Sequence, residues 1–176
     1  MTKAFVFPGQ GSQSVGMGQN LAETYPEAKA VFDQVDAALG QNLSDIMWNG
    51  PQETLTLTEN AQPALMAVSM AVMRVLEARG LQLEQAASYV AGHSLGEYAA
   101  LTAAGALQLD DASRLLKLRG QAMQRAVPVG VGAMAALLGL DFSAVVEIAE
   151  AAASETEICA AANDNANGQV VISGHA

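Results

Sequence analysis

Gly92-His93-Ser94-Leu95-Gly96 sets a serine between two glycines, each two residues away. That is the spacing of a nucleophile elbow, in which a serine hydroxyl makes the attack. The need for glycine is steric. A serine held at a sharp strand-to-helix turn has a strained backbone, and the residues flanking it pass very close to each other. The turn lifts the Ser94 hydroxyl above the sheet. It also aims the first N–H groups of the following helix at the group that Ser94 attacks. A purely structural tight turn is the competing reading of the same five residues.

A second residue stands out by its surroundings. At 100° per position on a helix around Lys117, the residues Leu115, Leu116, Ala122, Met123 and Ala126 share an arc about 120° wide. Arg119 falls near the middle of that apolar arc, while Arg114, Lys117 and Arg125 fall opposite, as an ordinary solvated face. An arginine on a buried stripe is costly unless an anion meets it. A planar guanidinium binds a substrate carboxylate through two parallel hydrogen bonds. A carboxylate of the chain itself, or snorkelling at the edge of the stripe, would also satisfy it.

The elements that must hold these groups are legible as pattern. Residues 88–91 read as a short buried strand entering the elbow, and 95–104, rich in Ala and Leu, as the helix leaving it. Residues 4–7 form another apolar strand, which runs into the glycine-rich loop Pro8-Gly9-Gln10-Gly11-Ser12-Gln13. Helical spacing covers 26–39, with Pro26 at its start. Residues 41–53 read as mixed and turn-rich. Thr58 or Asn60 can cap a helix that runs to Arg79, with Gly80 as its stop. Asp110 or Asp111 can cap a further helix to Ala126, ended by Pro128.

Beyond a linker at 127–132 the character changes. Strand (133–138), helix (142–153), strand (158–162) and strand (169–173) follow, the last two joined by a turn over Asn163-Asp164-Asn165-Ala166-Asn167-Gly168. A split βαβ, ferredoxin-like unit needs one more helix and strand than this β-α-β-β series supplies. The expectation is that these 176 residues are a fragment, or an incomplete record, of a longer chain.

Composition excludes several functions. The chain is about half apolar, so it can bury a core, and its formal net charge of −10 argues against general nucleic-acid binding. Apolar runs are too short to span a membrane, and Met1-Thr2-Lys3-Ala4-Phe5 lacks the long apolar core and cleavage site expected of a signal peptide. Two histidines and one cysteine make no metal site. Cys159 cannot form an internal disulfide and reads as a small buried side chain. A cytoplasmic monomer is expected. Four of the eight Lys and Arg fall at 114–125, and Arg114, Lys117 and Arg125 are a candidate basic patch for an acidic partner.

Phe7-Pro8-Gly9-Gln10-Gly11-Ser12-Gln13, Gln62-Pro63-Ala64-Leu65, Gly92-His93-Ser94-Leu95-Gly96-Glu97-Tyr98 and Arg119-Gly120 together resemble the malonyl-CoA:acyl carrier protein transacylases of bacterial fatty-acid synthesis. The match runs from Phe5 to the last strand. The resemblance implies an α/β-hydrolase-like core with an inserted ferredoxin-like subdomain, both incomplete here, divided as 1–127 and 128–176. It implies that Ser94 is acylated by malonyl-CoA and hands malonyl to the phosphopantetheine thiol of acyl carrier protein. It makes the backbone N–H groups of Gln10 and Leu95 the oxyanion hole, Arg119 the grip on the malonyl carboxylate, and Gln62 a neighbour of the pocket. No cofactor is implied beyond the coenzyme A thioester that serves as substrate. The family's general base is a histidine further downstream, matched by nothing here. His93 adjoins the nucleophile and reads as packing for the elbow, and His175 lies in the tail. An esterase or thioesterase on the same core is the rival reading, as is a fragment without turnover.

Overall fold

The computed structural model describes residues 2–128 and 130–176. Two compact units divide between Gln124 and Arg125, against a sequence expectation after 127. Of the expected linker, Val129 lies outside the described residues.

In the first unit, β1 (Ala4–Phe7) pairs in parallel with β2 (Tyr89–Gly92), from Ala4 opposite Tyr89 to Phe7 opposite Gly92. Parallel neighbours need a long crossover, and six helices supply it: α1 (Gln19–Thr24), α2 (Pro26–Leu39), α3 (Leu43–Asn49), α4 (Gln52–Thr56), α5 (Thr58–Ala78) and α6 (Leu83–Ala86). After β2 come α7 (Leu95–Ala103) and α8 (Leu109–Ala126). The core is built around α5, whose Ala61, Ala64, Met66, Ala67, Met70 and Ala71 are all fully buried. A helix apolar on most of its circumference belongs in the middle of a unit. Its alanines let α2 and α7 approach closely, and Phe32, Val35, Leu43, Met47 and Leu55 fill the space around it.

Pattern and structure differ at three places in this unit. The stretch 41–53 is helical rather than turn-rich, because Leu43 and Met47, one helical turn apart, both dip into the core. Ser44 ties the same segment to α2 by donating to Asp36. Neither Thr58 nor Asn60 caps α5. The cap position is Leu57, and both polar side chains are committed elsewhere. Asp110 and Asp111 lie in the first turn of α8 instead of at its cap, where their charges still favour the helix N-terminus.

In the second unit, β3 (Gly132–Leu138), α9 (Phe142–Ala152), β4 (Cys159–Ala166) and β5 (Gln169–His175) follow in order. The sheet is antiparallel throughout, ordered β3-β5-β4. The expected six-residue turn shrinks to Asn167-Gly168, since irregularities in register at 161/163 and 164/166 let β4 keep its pairing as far as Ala166. Gly168 sits at φ 76°, the conformation a two-residue hairpin asks of glycine. Val145 and Ala149 of α9 pack on the sheet with Val170, all three buried. Cys159, expected to be buried, is half-buried at the start of β4.

Asp141 caps α9 by accepting from Ala144 N–H and from the Ser143 hydroxyl. Those bonds, the backbone one foremost, hold its carboxyl below the usual carboxylate range. The depression means that the cap's contribution is complete above that range and fades as pH falls through the lowered midpoint. A chemical-shift titration should therefore place the Asp141 midpoint below the ordinary aspartate value, and Asp141→Asn should leave α9 stable but insensitive to acid in this interval.

Candidate functional site

Ser94 occupies φ 56°, ψ −109°, and is the only non-glycine with positive φ among the described residues. An L-residue reaches this region only where its surroundings force it there, and the two glycines show how. A Cβ on Gly92 would lie 1.9 Å from the carbonyl carbon of Gly96, and one on Gly96 would lie 2.3 Å from Phe7 O. Gly92 thus lets the strand end touch the helix start, and Gly96 lets that helix press on the end of β1. Gly9 completes the fit, since a Cβ there would meet His93 Nδ1 at 2.4 Å. The His93 ring packs over the Gly9 loop, as expected of an elbow-packing residue.

Ser94 stands at the N-cap of α7. Gly96 N–H donates to His93 O and Glu97 N–H to Ser94 O, while Leu95, as the first residue of the helix, has no acceptor within it. The Leu95 amide is therefore available beside the hydroxyl. The loop bearing Gln10 is pinned from both ends. Gly11 N–H donates to Gln13 Oε1, and Gln52 of α4 accepts from Val15 N–H and donates to Gln13 O.

Arg119 reaches this hydroxyl. Its Nη2 donates to Ser94 Oγ at 2.9 Å and its Nη1 to Gln62 Oε1. The ring of Tyr98, on α7, lies 6.0 Å from the guanidinium carbon. Gln62 is fully buried with both ends of its amide engaged, Nε2 donating to Thr58 Oγ1 at 2.9 Å and to Met123 Sδ at 3.3 Å. Thr58 Oγ1 in turn donates to Gln10 Oε1 at 2.9 Å. One unbroken set of hydrogen bonds runs Gln10, Thr58, Gln62, Arg119, Ser94. The five expected site residues Gln10, Gln62, Ser94, Leu95 and Arg119 thus converge. Thr58 is the member that sequence pattern misses. Its signal is the four-residue spacing to Gln62, which stacks both side chains on one face of α5, but a threonine at a helix start reads first as a cap.

The face assigned to α8 needs correction. The buried residues are Leu109, Ala112, Ser113, Leu116 and Gly120, whereas Leu115, Leu118 and Met123 are 43%, 57% and 47% exposed. The buried face is turned roughly 80° from the apolar arc of the sequence, counted at 100° per residue. Arg119 stands beside it rather than within it, half-buried. The cause is Gly120, where a Cβ would lie 2.4 Å from Glu59 Cα. The backbone of α8 lies against the first turn of α5 at this position, where any side chain in place of glycine would collide.

Lys117 is likewise not a solvated residue. Its ammonium donates to Asn60 Oδ1 at 2.9 Å and lies 3.4 Å from Glu59 Oε2. Arg114 pairs with Asp111 at 3.1 Å and approaches Asp110 at 3.9 Å. The candidate basic patch therefore has two of its three members matched by carboxylates. His175 Nδ1 accepts from Ile158 N–H within the second unit, a bond that ties the start of β4 to the end of β5. Among the described residues no three His, Cys, Asp or Glu side chains are grouped to hold a metal, and no helix is long and apolar enough to cross a membrane.

Comparison with known proteins identifies the family of the chain. The model of the acyl transferase domain family matches residues 4–176. The malonyl CoA-acyl carrier protein transacylase of Bacillus subtilis (strain 168) is 48% identical over 173 residues, covering 98% of this chain and 53% of the relative. The crystal structure of an acyl-carrier-protein-S-malonyltransferase from Bartonella henselae superposes with a TM-score of 0.93 at 60% identity, covering 100% of this chain and 56% of that one. A malonyl-transacylase solved in complex with a type II polyketide acyl-carrier protein superposes with a TM-score of 0.90 at 42% identity, covering 99% and 55%. The chain spans about half the length of the relatives it matches.

Proposed function

The chain belongs to the acyl transferase domain family, and on that footing we propose that it transfers a malonyl group from malonyl-CoA to the phosphopantetheine thiol of acyl carrier protein, for fatty-acid biosynthesis in the cytoplasm. The observation that carries this reading is the contact between Arg119 and Ser94. A guanidinium fork one hydrogen bond from a strained nucleophile suits an acyl group with a negative end. An esterase on the same core needs only the elbow.

Ser94 Oγ attacks the thioester carbonyl, forming the Oγ–C bond. The oxyanion is met by the amides of Gln10 and Leu95, each such donor being worth about 3 kcal/mol. The C–S bond then breaks, coenzyme A leaves as the thiol, and a malonyl-Ser94 ester remains. The carrier thiol attacks this ester by the same steps in reverse order. Arg119 keeps Nη1 on Gln62 and exchanges its Nη2 bond with Ser94 for bonds to the malonyl carboxylate. That exchange releases the serine hydroxyl for attack at the moment the acyl group is seated. The family resemblance gives the Ser94 proton to a histidine base, a role that fits neither His93, whose ring packs against Gly9, nor His175, whose Nδ1 accepts from Ile158 N–H.

The same proposal extends to the fold, an α/β-hydrolase-like core with a ferredoxin-like subdomain. The parallel β1–β2 pair with its elbow supports a hydrolase-like core, and the antiparallel order β3-β5-β4 is that of a ferredoxin-like unit's first three strands.

The test is direct. Incubated with malonyl-CoA, quenched and digested, the whole protein should yield a Ser94 peptide carrying one malonyl group, discharged by added pantetheine. A Ser94 peptide that never gains this mass, or an ester lost to water as fast as to the thiol, would overturn the reading.

A further inference from the structure

We propose that Thr58 is a positioning residue that couples the oxyanion loop to the carboxylate grip; the proposal rests on the malonyl-transfer reading above. The argument is a count of protons. Gln10 Oε1, an amide oxygen, can only accept, so the hydrogen bond it shares with Thr58 uses the hydroxyl's one proton. The hydroxyl oxygen then has only lone pairs to offer Gln62, whose nearer group must be the NH2. Met123 Sδ, a weak acceptor, faces the same nitrogen. With Nε2 so engaged, Oε1 is left as the group that meets Arg119.

The hydroxyl and the guanidinium therefore select the same orientation of a fully buried amide, one from each end. The wrong orientation would set NH2 against a guanidinium that can only donate. The other end of the same hydroxyl holds the Gln10 side chain, in a loop already pinned by Gln52. Thr58 thus sets the direction of Arg119 and the place of the Gln10 amide together. It does not cap α5, whose cap position is Leu57. Half-buried at the surface of the site, it adds little to the core.

The experiment compares Thr58→Val, which keeps shape and removes the hydroxyl, with Thr58→Ser, which keeps the hydroxyl. In the whole protein, Thr58→Val should lower kcat/KM for malonyl-CoA roughly tenfold, the loss expected of one hydrogen bond to a charged network. It should lower the malonyl-over-acetyl preference as well, and Thr58→Ser should restore both. An unchanged preference in Thr58→Val, or no rescue by Thr58→Ser, would overturn the proposal. The side-chain N–H resonance of Arg119 gives a readout independent of turnover. It should be sharp in the parent and in Thr58→Ser, and shifted or broadened in Thr58→Val. If the parent never forms the malonyl ester, the functional reading fails. The resonance still decides the coupling, and an identical Arg119 signal in all three proteins refutes it.

Discussion

Ser94→Ala will abolish malonyl labelling and lower transfer by at least about a thousandfold, the order seen when a serine nucleophile is removed and only binding and oxyanion groups remain. It will do so without stabilising the fold. Alanine keeps the Cβ that makes φ 56°, ψ −109° unfavourable. Ser94→Gly separates the two effects. It is equally inactive, but it relieves strain of about 1–3 kcal/mol, against a glycine cost in the unfolded chain of about 0.4–1 kcal/mol. The net gain of about 1 kcal/mol should raise the melting temperature by about 2–4 °C in a chain of this size. Loss of activity with a gain in stability is the mark of strain kept for function. If Ser94→Gly melts no higher than Ser94→Ala, the backbone at the elbow is not strained and positioning of the nucleophile has another cause. Parent-like labelling in Ser94→Ala would remove the nucleophile assignment altogether.

What pattern reveals and what it hides here follow from the size of the residues involved. The elbow is legible because half of its constraint is local. A Cβ on Gly92 would collide with the backbone of Gly96, four residues on, whereas the need for glycine at 96 comes from Phe7 O at the end of β1. The helix at Pro26–Leu39 and the strand at Ala4–Phe7 are legible because bulky apolar side chains recur at the right period. The face of α8 is not, because α8 packs through Ala112, Ser113 and Gly120. Hydropathy weights large residues, so Leu115 and Met123 draw the expected face toward themselves although both remain exposed. The same blindness hides Lys117, which reads as solvated until Glu59 and Asn60 are brought beside it by the Gly120 contact. Arg119 stands out in the sequence by its conflict with apolar neighbours. It stands beside the buried face rather than in it, and its partners Ser94 and Gln62, 25 and 57 residues away in sequence, are a product of tertiary packing.

Arg119 carries the second large effect. A carboxylate held by two charge-assisted hydrogen bonds gains about 1.5–3 kcal/mol from each, so Arg119→Ala should lower kcat/KM for malonyl-CoA by a factor of about 10²–10⁴, at about 1.4 kcal/mol per tenfold. Acetyl-CoA makes no such bonds, and its transfer should hold or rise, because the variant no longer leaves a cation unpaired beside the bound acyl group. The ratio of the two substrates is thus the sensitive quantity, falling by nearly the full factor. Arg119→Lys distinguishes charge from geometry. An ammonium can meet a carboxylate as a point charge but cannot hold Gln62 Oε1 and both carboxylate oxygens in one plane. It should recover part of the malonyl rate and leave the ratio well below that of the parent. Two further consequences follow from the bond to Ser94. Without Nη2 the hydroxyl loses a donor, and without Nη1 the fully buried Oε1 of Gln62 loses its partner. Arg119→Ala should therefore also lower the melting temperature, and Arg119→Ala combined with Gln62→Leu should recover part of that loss while selectivity stays low. A malonyl-over-acetyl ratio equal to that of the parent in Arg119→Ala would take the carboxylate away from this guanidinium, and with it the reason for preferring a malonyl donor over any other thioester.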